Sequence, residues 1–236
     1  MQTLFDLILL FYCGSIAGWV LEFFFRRFFA DGRKWVNPGF LTGPCLPIYG
    51  FGVCVLYLLA GLRPHFPDGI GGTALLILVT GVSLTLLEYI AGLIFVKGLK
   101  TALWDYSNEP FNLQGVICLR FSLCWLLAGA FYVVFLHPLF AAMLAWYEGH
   151  VFFTFVTGLF TGILLLDLAH VLQFVAKLRA FAKENNILVR YEEFKETVVR
   201  AAAEGRQKVA GLFAPLPDIP LKEHLNKYLE RLQKRK

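Results

Sequence analysis

The sequence predicts an all-α integral membrane protein with five transmembrane helices, N-terminus out and C-terminus in, followed by a cytoplasmic amphipathic helical tail. Three observations carry that prediction. The 236 residues are 58% hydrophobic and 16% aromatic but only 17% charged, too apolar for an ordinary water-soluble domain. Five separate stretches reach the roughly 20 apolar residues a helix needs to cross about 30 Å of hydrocarbon, where every backbone amide must be satisfied within the segment. The basic residues are also unevenly placed: 14 of the 22 Lys and Arg follow position 176, together with 8 acids, whereas the first 176 residues hold 8 basic and 9 acidic groups. The net charge of +5 is therefore a property of the tail, and an anionic membrane surface accounts for it better than nucleic acid. A disordered chain, a secreted disulfide scaffold and a soluble enzyme are excluded.

The first stretch, Thr3–Phe25, has no basic start and ends at Glu22, Arg26 and Arg27 rather than at a small-residue cleavage site. It reads as a retained helix, not a signal peptide. The second, Phe40–Leu62, begins inside the run Asn37 to Gly52, where Pro38, Pro44 and Pro47 alternate with Gly39, Gly43, Gly50 and Gly52. A regular helix does not tolerate that. Either the run lines a cavity, where non-helical backbone survives at membrane depth, or it is a loop leading into a helix that starts near Pro47. The third stretch, Gly72–Val96, joins the fourth, Gly115–Leu136, through a segment from Leu103 to Gly115. Trp104 and Tyr106 suit a membrane interface, and Asp105, Ser107, Asn108, Asn112 and Gln114 are more hydrogen-bonding groups than a connector needs. The fifth stretch is Val151–Val175.

Composition divides the chain into a transmembrane helical domain, 1–176, and a basic helical cytoplasmic tail, 177–236. In the tail, Phe194, Val198, Ala201, Ala202, Val209 and Leu212 keep helical spacing, Pro215, Pro217 and Pro220 interrupt it, and Leu221, Leu225, Leu229 and Leu232 mark a last amphipathic helix. Its apolar stripe either lies on the anionic leaflet or docks a partner. Loop charge sets the orientation, because Lys and Arg near span ends stay cytoplasmic. Arg26, Arg27, Arg33 and Lys34 follow the first stretch, Lys97 and Lys100 follow the third, and the opposite side carries Arg63 alone. This topology places 20 of the 22 basic residues in the cytoplasm, Arg63 and Arg120 being the exceptions.

Within the apolar stretches lie Glu22, Glu88, Arg120, Asp167 and His170. A charge at the centre of a span costs about 2.5–3.5 kcal/mol on insertion scales, so such residues mark function by default. The topology brings the three acids and Arg120 toward the cytoplasmic leaflet with a surplus of negative charge, to be met by protonation, a bound cation or snorkelling Arg26 and Arg27. The candidate polar cavity comprises Glu22, Pro44, Pro47, Tyr49, Glu88, Asp105, Tyr106, Asn112 and Arg120. The alternative is structural: Glu22 pairs with Arg26 at i,i+4, and Glu88 pairs with Arg120, to hold helices together. Asp167 and His170 share a helix face but are too few for a metal site, and no cofactor is expected. Cys13, Cys45, Cys54, Cys118 and Cys124 form no C-x-x-C pair and read as small apolar filler. There is no G-x-x-x-x-G-K-[ST], G-x-S-x-G or H-E-x-x-H, so ATP hydrolysis by this chain is excluded.

Gly18-Trp19 with Glu22, Gly39-Phe-Leu-Thr-Gly-Pro with Pro47-Ile-Tyr-Gly50, Glu88-Tyr89, Trp104-Asp-Tyr-Ser107 with Asn112 and Gly115, and Leu119-Arg120 together resemble the ABC-transporter type IV, or CmpB-like, family of small bacterial membrane proteins. The resemblance covers about positions 5 to 140. It implies a multi-pass protein of the bacterial inner membrane and a permease-like transporter component with a separate ATPase subunit as its associate; the apolar spans make membrane lipids a further partner, and a homodimer would enlarge a bundle of only five spans. Two other functions remain open from the residues. One is a membrane-embedded enzyme on a lipid or lipid-linked substrate, with Asp105 or Glu88 as base and Arg120 with Asn112 as anion clamp. The other is a non-catalytic scaffold or regulator in which the polar groups are interhelical glue.

Overall fold

The protein is described by a computed structural model covering residues 2–28, 37–191, 193–194 and 221–234. The predicted positions Arg33 and Lys34, the helical spacing from Val198 to Leu212 and the prolines at 215, 217 and 220 lie outside the described residues. What is described is nearly all helix. α1 spans Gln2–Phe28, α2 Pro47–Gly61 and α3 Gly69–Leu93, the last extended by a π turn at Ile94–Gly98. α4, Leu119–Phe131, runs through a second π turn, Tyr132–Leu136, into α5, His137–Glu148. α6 is Val151–Glu184 and α7 is Leu221–Lys234. Among the described residues, four continuous helices are long and apolar enough to cross a membrane: Thr3–Phe28, Gly69–Gly98, Leu119–Glu148 and Val151–Glu184.

The second predicted stretch becomes a shorter apolar helix of 15 residues, because the helix cannot begin before Pro47, the last proline of the Pro/Gly run. Pro47 occupies its first turn, where the missing amide hydrogen costs nothing. The fourth stretch is longer than predicted. Its widened π turn ends two residues before Pro138, whose ring would otherwise press on the carbonyl four residues back, so the helix continues to Glu148, past the predicted end at Leu136. α6 likewise passes straight through the composition boundary at 176.

Neighbouring helices run antiparallel. In α1 and α2 the Leu46 amide donates to the Ser15 carbonyl at 3.1 Å while the Cys54 thiol reaches the Leu7 carbonyl. Close approach rests on Gly14 and Gly18, four residues apart on α1. A Cβ at Gly18 would lie 2.2 Å from the Tyr49 ring, and one at Gly50 would lie 2.5 Å from the Phe11 carbonyl oxygen. Small residues at this spacing let helix backbones meet where lipid supplies no hydrophobic drive between helices. α3 and α4 meet the same way, Gly81 against Leu126 and Gly129 against Thr80. Leu56, Ala60, Leu84 and Tyr132 fill the space between α2, α3 and the second π turn. The outward faces carry exposed Phe152, Phe155, Leu159, Ile163 and Leu166 on α6 and similar residues elsewhere, as a surface facing acyl chains requires.

The ends of α1, α3 and α6 and the starts of α2 and α4 therefore lie together at one end of the bundle, the end bearing Arg26, Arg27, Lys97 and Lys100. Two short ribbons lie there: β2 (Asn112–Leu113) pairs antiparallel with β3 (Ile117–Cys118), and β1 (Thr101–Ala102) pairs parallel with β4 (Val189–Arg190). Beyond them, Leu178 and Ala182 of α6, Val189, Tyr191, Phe194, and Leu225 and Tyr228 of α7 form a separate apolar core. The apolar stripe of the last helix is thus packed on the chain itself.

Candidate functional site

The most deeply buried carboxylate in the apolar helices is Glu88, near the end of α3, at 4% exposure. It accepts hydrogen bonds from the Tyr106 hydroxyl at 3.1 Å and from Trp125 Nε1 at 2.9 Å. One donor comes from the α3–α4 connection and the other from α4, so the carboxylate ties three parts of the chain. Tyr106 is held by stacking on Phe121, with ring centroids 4.6 Å apart. Burial, and then the facing Glu88 carboxylate, push the Tyr106 hydroxyl far above its usual value, so the phenol keeps its proton and donates. Trp125 in turn packs on Tyr49, centroids 5.6 Å apart. Tyr49 lies close enough to feel both Glu22 and Glu88, and Glu22 takes an ion pair from Arg26 at 3.0 Å. Glu22, Tyr49, Glu88, Tyr106 and Trp125 therefore form one polar string across α1, α2, α3, the connection and α4. Trp125 was missed in the sequence because an aromatic in an apolar run reads as packing.

The connection itself is a built structure. Asp105 accepts from the Ser107 amide at 2.9 Å and from the Ser107 hydroxyl, and its other oxygen meets Arg190 Nη2 at 2.9 Å. Burial pushes the Asp105 carboxyl up, but the Ser107 hydrogen bonds and the Arg190 guanidinium outweigh it and hold the group below its usual range. Asn112 donates to the Ser107 and Glu109 carbonyls and accepts from the Gly115 amide, so both ends of its amide are committed to the turn. Gly115 sits at φ +67, and a Cβ there would lie 2.6 Å from the Ser107 hydroxyl, which explains a glycine at this point.

Arg120 stands apart from Glu88. α4 begins at Leu119, so Arg120 falls in its first turn, 68% exposed, with Nη1 3.4 Å from Glu109. The expected Glu88–Arg120 pair is not formed. Pro44 is exposed and Pro47 only starts α2. The Pro/Gly loop is held instead by Asp167 of α6, which accepts from the Thr42 amide at 3.0 Å, the Thr42 hydroxyl and the Gly43 amide at 3.2 Å. Asn37 completes the clamp, accepting from Trp19 and donating to the Leu41 and Thr42 carbonyls. Protein groups thus satisfy this irregular backbone. A shallow recess near the connection is lined by Gly92, Phe95, Val96, Leu103, Trp104 and Val116.

The arrangement offers one buried acid with two fixed donors, reached from the basic end of the bundle through a hydrogen-bonded turn. Comparison with curated proteins and with solved structures returns no match. The model of one family, described as Putative ABC-transporter type IV, matches residues 9–172, which takes in every residue of the polar string and the Asp167 and Asn37 contacts that hold the Pro/Gly loop, and the chain belongs to that family.

Proposed function

We propose that the chain is the membrane component of a transport system, working with a separate ATPase subunit and crossing the bilayer five times with its C-terminus in the cytoplasm. The observation that carries this reading is the Glu88 carboxylate, buried in the helix bundle and held by Tyr106 and Trp125 at the basic end. Ionisable groups at such depth are expensive and serve pathways or interhelical contacts. Family membership favours the first, and the absence of a phosphate-binding loop in this sequence assigns energy supply to another chain. Purification of the tagged protein from native membranes is expected to recover an ATPase subunit. A Glu88→Gln strain is expected to lose most uptake of the transported solute, identified by comparing metabolite pools, at unchanged protein level. Recovery of no ATPase and identical pools would remove the proposal.

A second reading, a non-catalytic scaffold, is favoured by how completely the two donors occupy Glu88. It predicts that Glu88→Gln lowers melting temperature without changing any pool. The lipid-enzyme reading has less support, since its anion clamp needs Asn112, whose amide is spent on the turn, and Arg120, which faces Glu109.

A further inference from the structure

Glu88 is covered by a segment that is fastened at a point away from the carboxylate. Within residues 101–118, adjacent side chains go opposite ways: Tyr106 turns inward to Glu88, and Asp105 turns outward to Arg190. Arg190 belongs to β4, after α6, and the Thr101–Ala102 ladder with Val189–Arg190 brings it there. The backbone turns sharply on both sides of the part that carries Tyr106, at Lys100 with φ 54 and at Gly115 with φ 67. Thr101 and Ala102 are buried in the ladder with β4, but beyond them the stretch is open to solvent at Asp105, Ser107, Asn108 and Phe111. Arg190 also has a second acid in reach, Glu193 at 3.4 Å from Nη1, which can hold the guanidinium when Asp105 lets go.

We propose that Arg190 is a positioning residue for the Glu88 site, acting through Asp105 as a latch that keeps the 101–118 segment seated and Tyr106 over the carboxylate. Release of Asp105 by the guanidinium, which Glu193 already contacts, frees the part around Tyr106, beyond the β1–β4 ladder, to lift from Glu88 and opens it to aqueous solute from the basic end. The proposal rests on the reading of Glu88 as the working site. Its latch geometry is nonetheless tested without any transport measurement. The partners suit a latch, since Asp105 stays ionised with its carboxyl held low and Tyr106 stays protonated.

A native thiol reports on the opening. Cys118 lies in β3 at 1% exposure, paired with Asn112 of the same connection, whereas Cys45, 8% exposed, lies in the Pro/Gly loop held by Asp167 and Asn37. The full chain in detergent or liposomes is treated with a water-soluble maleimide, and modification at each cysteine is followed by peptide mass spectrometry. Arg190→Ala is expected to speed Cys118 modification about two- to fivefold, the change produced by losing a partly exposed ion pair of about 0.5–1 kcal/mol. Cys45 is expected to react at its original rate, and Arg190→Lys to restore most of the protection at Cys118. Tyr106→Phe leaves the latch intact and should move Cys118 less than Arg190→Ala does. An unchanged Cys118 rate in Arg190→Ala overturns the latch. So does a parallel rise at Cys45, which signals general loosening, or a failure of lysine to rescue. The expected labelling pattern in a chain that moves no solute would count against the transport reading alone.

Discussion

Tyr106 gives the site a measurable signature at the scale of one residue. Its hydroxyl is neutral when protonated, and its folded value lies above the ordinary 10.0, so the native state holds the proton more tightly than the unfolded chain. The stability this contributes is fully present below pH 10 and is lost as pH rises toward the folded value. Replacing Tyr106 by Phe removes the hydrogen bond to Glu88 and is expected to cost about 1–3 kcal/mol near neutrality. Denaturant unfolding in detergent should show a constant gap between wild type and Tyr106→Phe from pH 7 to 9. Above pH 10 the gap should close at a slope approaching about 1.4 kcal/mol per unit. A gap that stays constant to pH 11 would contradict the Tyr106–Glu88 contact. At this scale Glu88 was legible because an acid in an apolar run stands out, and Tyr106 because the connection around it is rich in hydrogen-bonding groups. Arg120 was misjudged for a physical reason. An apolar run starting at Gly115 puts it one turn inside a helix, but the β2–β3 ribbon delays the helix to Leu119 and leaves the guanidinium outside. Asp167 was visible as a polar residue in a span. That it caps the Thr42 and Gly43 amides depends on a contact across more than 120 positions, which no local pattern encodes.

At the scale of elements, the α1–α2 pair depends on backbone approach. The short α2 buries Gly50, Gly52, Leu56 and Ala60 and owes its position largely to Gly14 and Gly18. Gly18→Ala places a methyl 2.2 Å from the Tyr49 ring, at the root of a side chain that cannot swing away, so the helices must separate. A loss of about 1–3 kcal/mol, typical of overpacking, is expected. Gly158 and Gly162 on α6 have the same spacing but nothing within 4 Å of either added Cβ. Alanine there meets nothing and should leave thermal stability in detergent unchanged or raise it by up to about 1 kcal/mol, since it removes glycine's backbone freedom. Equal effects at Gly18 and Gly158 would refute the assignment of the α1–α2 contact to these glycines. The five apolar stretches of the sequence correspond to the helices of the bundle, because long apolar runs are a strong local signal. Their ends were less legible. The start of α2 was set by Pro47, one of two readings the run allowed. The continuation of α4 into α5 required a π turn ahead of Pro138, and such a turn has no sequence mark. Two-residue strands such as β1 and β4 are held by tertiary pairing alone and leave no periodicity.

At the scale of the whole molecule, charge and packing point to the same asymmetry. The helix ends that gather around Glu88 are those flanked by Arg26, Arg27, Lys97 and Lys100, and α6 delivers the chain to the same end, where Leu225 and Tyr228 of α7 close an apolar core with Leu178, Ala182 and Phe194. The sequence offered the leaflet or a partner as cover for the stripe on α7. The chain covers it with its own residues, whose side chains are separated from it by tens of positions. With antiparallel neighbours, α1 starts at the end opposite to the one where α6 finishes, and the five-span proposal then expects the α6 end in the cytoplasm by the positive-inside rule. This is tested with reporter fusions to the full chain in a bacterial host. A fluorescent protein that folds only in the cytoplasm should be bright after Lys236 and after Lys100, and dark before Met1. A phosphatase active only outside the cytoplasm should give the reverse pattern and should also be active when inserted after Asp68, in the turn between α2 and α3. Activity after Asp68 matters most, because it requires the 15-residue α2 to complete a crossing. If α2 only dips into the bilayer and returns, the Asp68 and Lys100 fusions exchange signals while the N-terminal fusion keeps its own.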